Sequence, residues 1–206
     1  MTLDEARLRE LLDRQAILDC LVRCARGVDR LDADLIRSAY HPDALDDHGM
    51  FVGDRDEFCR WAVELHTSAH IAHQHHLTNH TCRLDGDSAD AETYFVFTAV
   101  NRPTSEGEAP TVVTSGGRYI DRLEQRAGEW RISVRLVVRE WSVVHPTTAP
   151  AGGGVTAVGR ALSSADVSLM GGGPTGHRNG LDPSYTQAGV RPERLAAGRA
   201  ARGVHL

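Results

Sequence analysis

The chain has 206 residues, a net charge of -5, 41% hydrophobic residues and 25% charged residues. That length and balance fit one globular domain with an appendage and exclude a chain disordered throughout. No apolar run approaches the roughly 20 residues that span a bilayer, and no basic stripe suited to nucleic acid is present, so neither partner is expected.

Met1 is followed by Thr2-Leu3-Asp4-Glu5 rather than by basic residues and an apolar block, which predicts a chain without a secretory leader. The four cysteines form no CxxC pair, and Cys20 and Cys24 stand one helical turn apart. Free structural thiols in a reducing cytoplasm are the expectation.

From Asp4 to about Val28, Leu8, Leu11, Leu12, Ile17, Leu21, Cys24 and Val28 recur mostly at spacings of three to five, which predicts an amphipathic helix. A second helix is expected from Asp32 to Tyr40, stopped by His41-Pro42. A short strand over Ala44–Phe51 precedes a third helix, capped by Asp54 and running to about His66. The pattern then turns to strands: Gln74–Leu84, the turn Asp85-Gly86-Asp87, Ala89–Asn101, Thr111–Leu123, the turn Arg126-Ala127-Gly128, and Glu129–Val144.

This order predicts an α+β domain over 1–146, with three N-terminal helices on one face of a curved antiparallel sheet that encloses a cone-shaped, mostly apolar pocket. Residues 147–206, with Gly152-Gly153-Gly154, Gly171-Gly172-Gly173 and several prolines, read as an irregular C-terminal arm. Within it, Leu181–Tyr185 could dock on a surface and Arg191–Arg202 could form a short helix.

Several polar residues stand where chemistry could occur. Asp29 closes the first helix, where a carboxylate opposes the macrodipole and needs compensation. Its two readings are a solvated helix end and a carboxylate aimed into the cone. Strand alternation puts His73, His75, Leu77, Asn79 and Thr81 on one face and His76, Thr78, His80, Cys82 and Leu84 on the other. The HxHH stretch has no acidic neighbour and no HExxH, so no metal is expected. Arg118 and Arg135 lie within strands, each facing solvent or buried against an anion. Asp46, Asp47 and His48 form a polar cluster on the short strand. No nucleophile elbow or phosphate loop is present, and no cofactor is expected.

Arg14-Gln15-Ala16-Ile17, Gly27-Val28-Asp29, Tyr40-His41-Pro42-Asp43-Ala44, His75-His76-Leu77-Thr78-Asn79-His80, Leu84-Asp85-Gly86-Asp87 and Gly128-Glu129-Trp130-Arg131-Ile132 occur in this order. The set, over roughly residues 5–145, resembles the SnoaL-like branch of the nuclear transport factor 2-like superfamily. Its chemical pattern is similar to that of scytalone dehydratase, bile acid 7-alpha-dehydratase and hexachlorocyclohexane dehydrochlorinase. The resemblance implies an Asp–His dyad, with Asp29 as the acid and His75 as the base, and Arg135 as the arginine that holds a leaving group or anion. The Tyr that precedes the Asp in some dehydratases is absent, since Arg23-Cys24-Ala25-Arg26 fills that stretch. Tyr40 and Tyr94 are the candidates to replace it.

The expected function is therefore a cofactor-independent lyase of dehydratase type, or an isomerase, acting on a hydrophobic small molecule. Catalysis falls to Asp29, His75 and Arg135, and substrate binding to Asn79, Tyr40, His48, Tyr94 and Arg118. The resemblance also implies a dimer or trimer. The alternatives are a non-catalytic binding module of the same fold, or an epoxide hydrolase or cyclase with Asp46 or Asp47 as a second carboxylate.

Overall fold

The computed structural model describes residues 3–148 and 156–157. Helix α1 spans Leu3–Arg30, with Asp4 and Glu5 in its first turn and Arg30 in its last, charges that suit the helix dipole. Its buried face begins at Ile17 and continues through Cys20, Leu21, Cys24 and Val28. Leu8, Leu11 and Leu12, expected on that face, are exposed, and no residue from 4 to 16 is buried.

The helix ends in a Schellman arrangement: Leu31 N–H donates to the Val28 carbonyl and Asp32 N–H to that of Gly27, with Leu31 in the left-handed region at φ 55°. Asp32 then caps the six-residue α2, Ala33–Ser38. A Cβ on Gly27 would lie 2.7 Å from the Ile36 backbone nitrogen, so glycine is what lets α2 pack this closely.

Strand β1 covers Tyr40–Asp47 and β2 covers Val52–Asp54, so Tyr40, His41 and Pro42 open a strand rather than end a helix. Asp54 caps α3, Arg55–Ala69, in a capping box completed by Glu57. Strands β3 (His70–Asp85), β4 (Ser88–Asn101), β5 (Thr111–Arg126) and β6 (Glu129–Thr148) follow. The turn after β3 places Gly86 at φ 57°, and the turn after β5 places Ala127 and Gly128 at 54° and 82°, both two-residue hairpin turns.

The six strands lie in the order β2-β1-β6-β5-β4-β3, and β7 (Thr156–Ala157) pairs with the end of β6. The sheet is curved, unclosed and mixed rather than wholly antiparallel, because β1 joins β6 in parallel. The main core lies between the three helices and the concave face, built from Ile17, Leu21, Cys24, Ile36, Phe58, Ala62, Leu123 and Ile132. Trp130 is buried against α1, its indole donating to Asp13 at 2.8 Å. Among the described residues no helix is long and apolar enough to cross a membrane. The predicted arm, including Leu181–Tyr185 and Arg191–Arg202, lies outside the described residues apart from Thr147, Thr148, Thr156 and Ala157.

Candidate active site

Between α3 and the concave face lies a cavity of about 690 Å³, large enough for a small polycyclic molecule. Its walls include Phe58, Trp61, Leu65, Phe95, Phe97 and Val137, with a minority of polar side chains set among them. Of these, His75 comes from β3. Its Nδ1 lies 2.7 Å from Asp29 Oδ1, and its backbone N–H donates to both carboxylate oxygens at 3.0 and 3.1 Å.

Asp29 occupies the last turn of α1, where the dipole disfavours it; three contacts from β3 compensate. Both side chains are nearly enclosed, at 11% and 13% exposure. Burial pushes the His75 imidazole below its ordinary range, and the hydrogen bond and charge of Asp29 oppose that push only in part. The ring is thus held neutral near pH 7. With Nδ1 given to the carboxylate, Nε2 is left for the cavity.

A second imidazole–carboxylate pair lines the same cavity. His48, just after β1, hydrogen-bonds through Nδ1 to Asp46 Oδ1, and Tyr40 O–H donates to Asp46 Oδ2 at 2.7 Å. Asp46 is fully buried. The His48 ring stacks on Phe58, with centroids 4.7 Å apart, and stands 6.5 Å from the Tyr119 ring.

At the inner end, Arg135 of β6 forms a two-pronged ion pair with Asp121 of β5, at 2.7 and 2.9 Å. The guanidinium also sits 4.1 Å from the centre of the Tyr119 ring. The two ions are 3% and 0% exposed. Burial raises Asp121 above the usual carboxylate range, and Arg135 opposes the shift.

Three further histidines, His66, His70 and His73, cluster along the wall formed by the end of α3 and the start of β3. His66 and His73 stack with centroids 4.2 Å apart, and His73 Nε2 donates to the Val28 carbonyl at 3.0 Å. Burial, helped by the neighbouring imidazoles, drives His66 down to about 2 and His70 to about 4. Nδ1 of each is buried without a hydrogen-bond partner, as is the Ser142 hydroxyl, and all three residues line the cavity. Among the described residues no group of three or more His, Cys, Asp or Glu is arranged to hold a metal ion.

Residues 9–136 match the family model described as the SnoaL-like domain. The chain belongs to this family. Its fold is that of the nuclear transport factor 2-like superfamily. A hexachlorocyclohexane dehydrochlorinase, LinA type 2, superposes with a TM-score of 0.62 at 20% identity, covering 71% of this chain and 99% of that one. A putative scytalone dehydratase from Novosphingobium aromaticivorans gives 0.55 at 18% identity, covering 74% and 97%. A putative aromatic ring hydroxylase from the same organism gives 0.56 at 21%, covering 72% and 94%. No curated protein matches the chain.

Within this SnoaL-like domain the sequence-predicted residues separate into three groups. Asp29, His75, Arg135 and His48 are at the cavity or directly behind it. Tyr40 is fully buried but does not line the cavity; it buttresses Asp46. Asn79, Tyr94 and Arg118 are not in the site. Asn79 is exposed because a bulge between Leu77 and His80 reverses the facing of β3, so inward positions change from odd to even numbers. Arg118 and Tyr94 sit on the convex face, with Arg118 held by Glu92 and Glu140 at 3.0 and 2.9 Å and 5.8 Å from the Tyr94 ring centre. Neither Asp46 nor Asp47 lines the cavity: Asp46 stands behind His48, and Asp47 accepts from Gly49 N–H at 2.8 Å.

Sequence reasoning passed over Asp121, His66 as a wall residue, and the hydroxyls of Ser115 and Ser142. The two serines lie in one cross-strand row with His75 and Phe97. The signal for Asp121 was its spacing of two from Tyr119 on β5.

Proposed function

We propose that this SnoaL-like domain is a cofactor-independent lyase of dehydratase type, acting on a hydrophobic, alicyclic or polycyclic small molecule with an acidic C–H beside a carbonyl. The observation that supports it is the neutral His75, tied by Nδ1 to Asp29 and lining a mostly apolar cavity of about 690 Å³. His75 Nε2 takes the proton from carbon. Asp29 fixes the tautomer and stabilises the imidazolium as it forms, help typically worth about 10²–10⁴-fold. The C–H electron pair forms the new double bond, and the β-hydroxyl departs as water, taking a proton from an imidazolium of the cavity. Because Asp121 balances its charge, Arg135 acts as an N–H donor toward developing negative charge at the inner end. An isomerase would use the same His75 and Asp29 with the proton returned to a different carbon.

The test is Asp29→Asn and His75→Ala, assayed on β-hydroxy cyclic ketones. Both variants are expected to lose at least 100-fold in kcat/KM with unchanged circular dichroism. A loss under tenfold in folded protein removes the dyad from the mechanism and favours a binding module.

A further inference from the structure

The cavity holds two imidazole–carboxylate pairs, and their surroundings differ in a way that divides labour. The backbone N–H of His75 reaches both oxygens of Asp29, whose side chain retains 13% exposure, so that carboxyl has a donor besides the imidazole. His75 can therefore stay neutral. Asp46 has no such help. It is 0% exposed, and its hydrogen-bond partners are the Tyr40 hydroxyl and His48. A carboxylate removed from water is held by hydrogen bonds and nearby cations; Arg135 stands opposite Asp46 across the β1–β6 pairing, and His48 is the imidazole that touches it. Tyr40 O–H donates to Asp46 Oδ2, which leaves Oδ1 for His48 Nδ1 and fixes that ring with Nε2 away from the carboxylate.

The two rings occupy separate stretches of one wall. His75 packs on Phe97, at 4.8 Å, and His48 approaches Tyr119, which in turn stacks on Phe95 at 4.6 Å. Phe95 and Phe97 are adjacent inward positions on β4 and both line the cavity. A flat guest lying on this aromatic strip meets one imidazole towards each end.

We propose that His48 is a second catalytic residue, the general acid that protonates the leaving group while His75 removes the proton from carbon. This rests on the lyase reading above. In a dehydration, His75 Nε2 gains the carbon-bound proton, His48 Nε2 gives its proton to the departing hydroxyl, and water is lost. The enzyme's proton count is unchanged, and the next turnover needs only that solvent move one proton from His75 to His48. Two imidazoles, each fixed through Nδ1 by its own carboxylate, give an acid–base elimination one group for each of its two proton transfers.

The experiment compares His48→Gln with the unsubstituted protein on two cyclic ketones that differ only in the β-substituent, hydroxyl against acetate. Acetate leaves without a proton, hydroxide does not. The loss in kcat for the hydroxy ketone is expected to exceed that for the acetoxy ketone by at least tenfold, and Asp46→Asn is expected to show the same bias. His75→Gln lowers both equally. Equal losses in His48→Gln overturn the acid role while leaving the lyase reading intact. Turnover of neither ketone by the unsubstituted protein defeats the lyase reading and the acid role together.

If His48→Gln does not fold, the unsubstituted protein labelled with 15N-histidine serves instead. The His48 Nε2 resonance is expected to move when 1-naphthol fills the cavity, and a resonance that stays in place overturns the contact.

Discussion

Arg135 shows how much a single side chain depends on its partner. It is 3% exposed, and its charge is matched inside the protein by the two oxygens of Asp121. Replacing both ions with apolar groups could cost little, but removing one strands the other. Asp121→Asn is therefore expected to destabilise the fold by about 3–5 kcal/mol, read as a fall in urea midpoint, whereas the double replacement Arg135→Met with Asp121→Leu recovers most of that loss. The pairing itself was hard to foresee. Counting back from the Arg126–Glu129 turn puts Ile120 opposite Arg135. A bulge between Arg122 and Leu123 shifts the register by one and brings Asp121 there instead. Asp29 and His75 needed no such register. Each was legible from its motif and position, one at a helix end and one between the two bulges of β3, and their hydrogen bond needs only that α1 lie against that strand. Asn79, four residues further along, falls in the second bulge.

At the level of elements, the strands and caps were easier to read than the faces they present. Asp54 with Glu57, and the turns at Gly86 and at Ala127-Gly128, have local causes that a few neighbouring residues contain. Facing is not local in that sense. Every bulge inverts the alternation beyond it, and β3 and β6 carry two each, set by pairings with strands elsewhere in the chain. The second bulge in β6 lies beside Gly116 and Gly117, and it is why both Arg139 and Ser142 line the cavity despite opposite parity.

Gly117 makes this bend possible. A Cβ there would lie 2.0 Å from the Val138 carbonyl oxygen, a backbone atom that cannot swing aside. Gly117→Ala is thus expected to cost roughly 2 kcal/mol or more, measured by urea denaturation. At Gly116 the atoms in the way belong to the Trp141 ring, which is 47% exposed and free to rotate, so Gly116→Ala should be the milder change.

For the whole molecule, the histidine wall links stability to acidity. His66 is held near 2 when folded and titrates near the ordinary 6.5 when unfolded. Between those values the unfolded chain binds the extra proton, so stability rises with pH across the window and is lost as pH falls below about 6.5. His66 alone should contribute about 1 kcal/mol of that loss between pH 6 and pH 5, from the roughly 1.4 kcal/mol per unit that one full proton represents. Urea midpoints measured at both values are expected to converge in His66→Gln relative to the unsubstituted protein; an unchanged difference would mean that His66 is not the group responsible.

The three tryptophans sit in three different surroundings. Trp61 forms part of the cavity wall, Trp130 is buried against Asp13, and Trp141 lies half in solvent over Gly116. The protein accordingly carries its own optical probe for occupancy. A guest that quenches or accepts indole emission should dim the Trp61 contribution while sparing the red-edge light of Trp141, so ligands can be screened by fluorescence before any turnover assay exists.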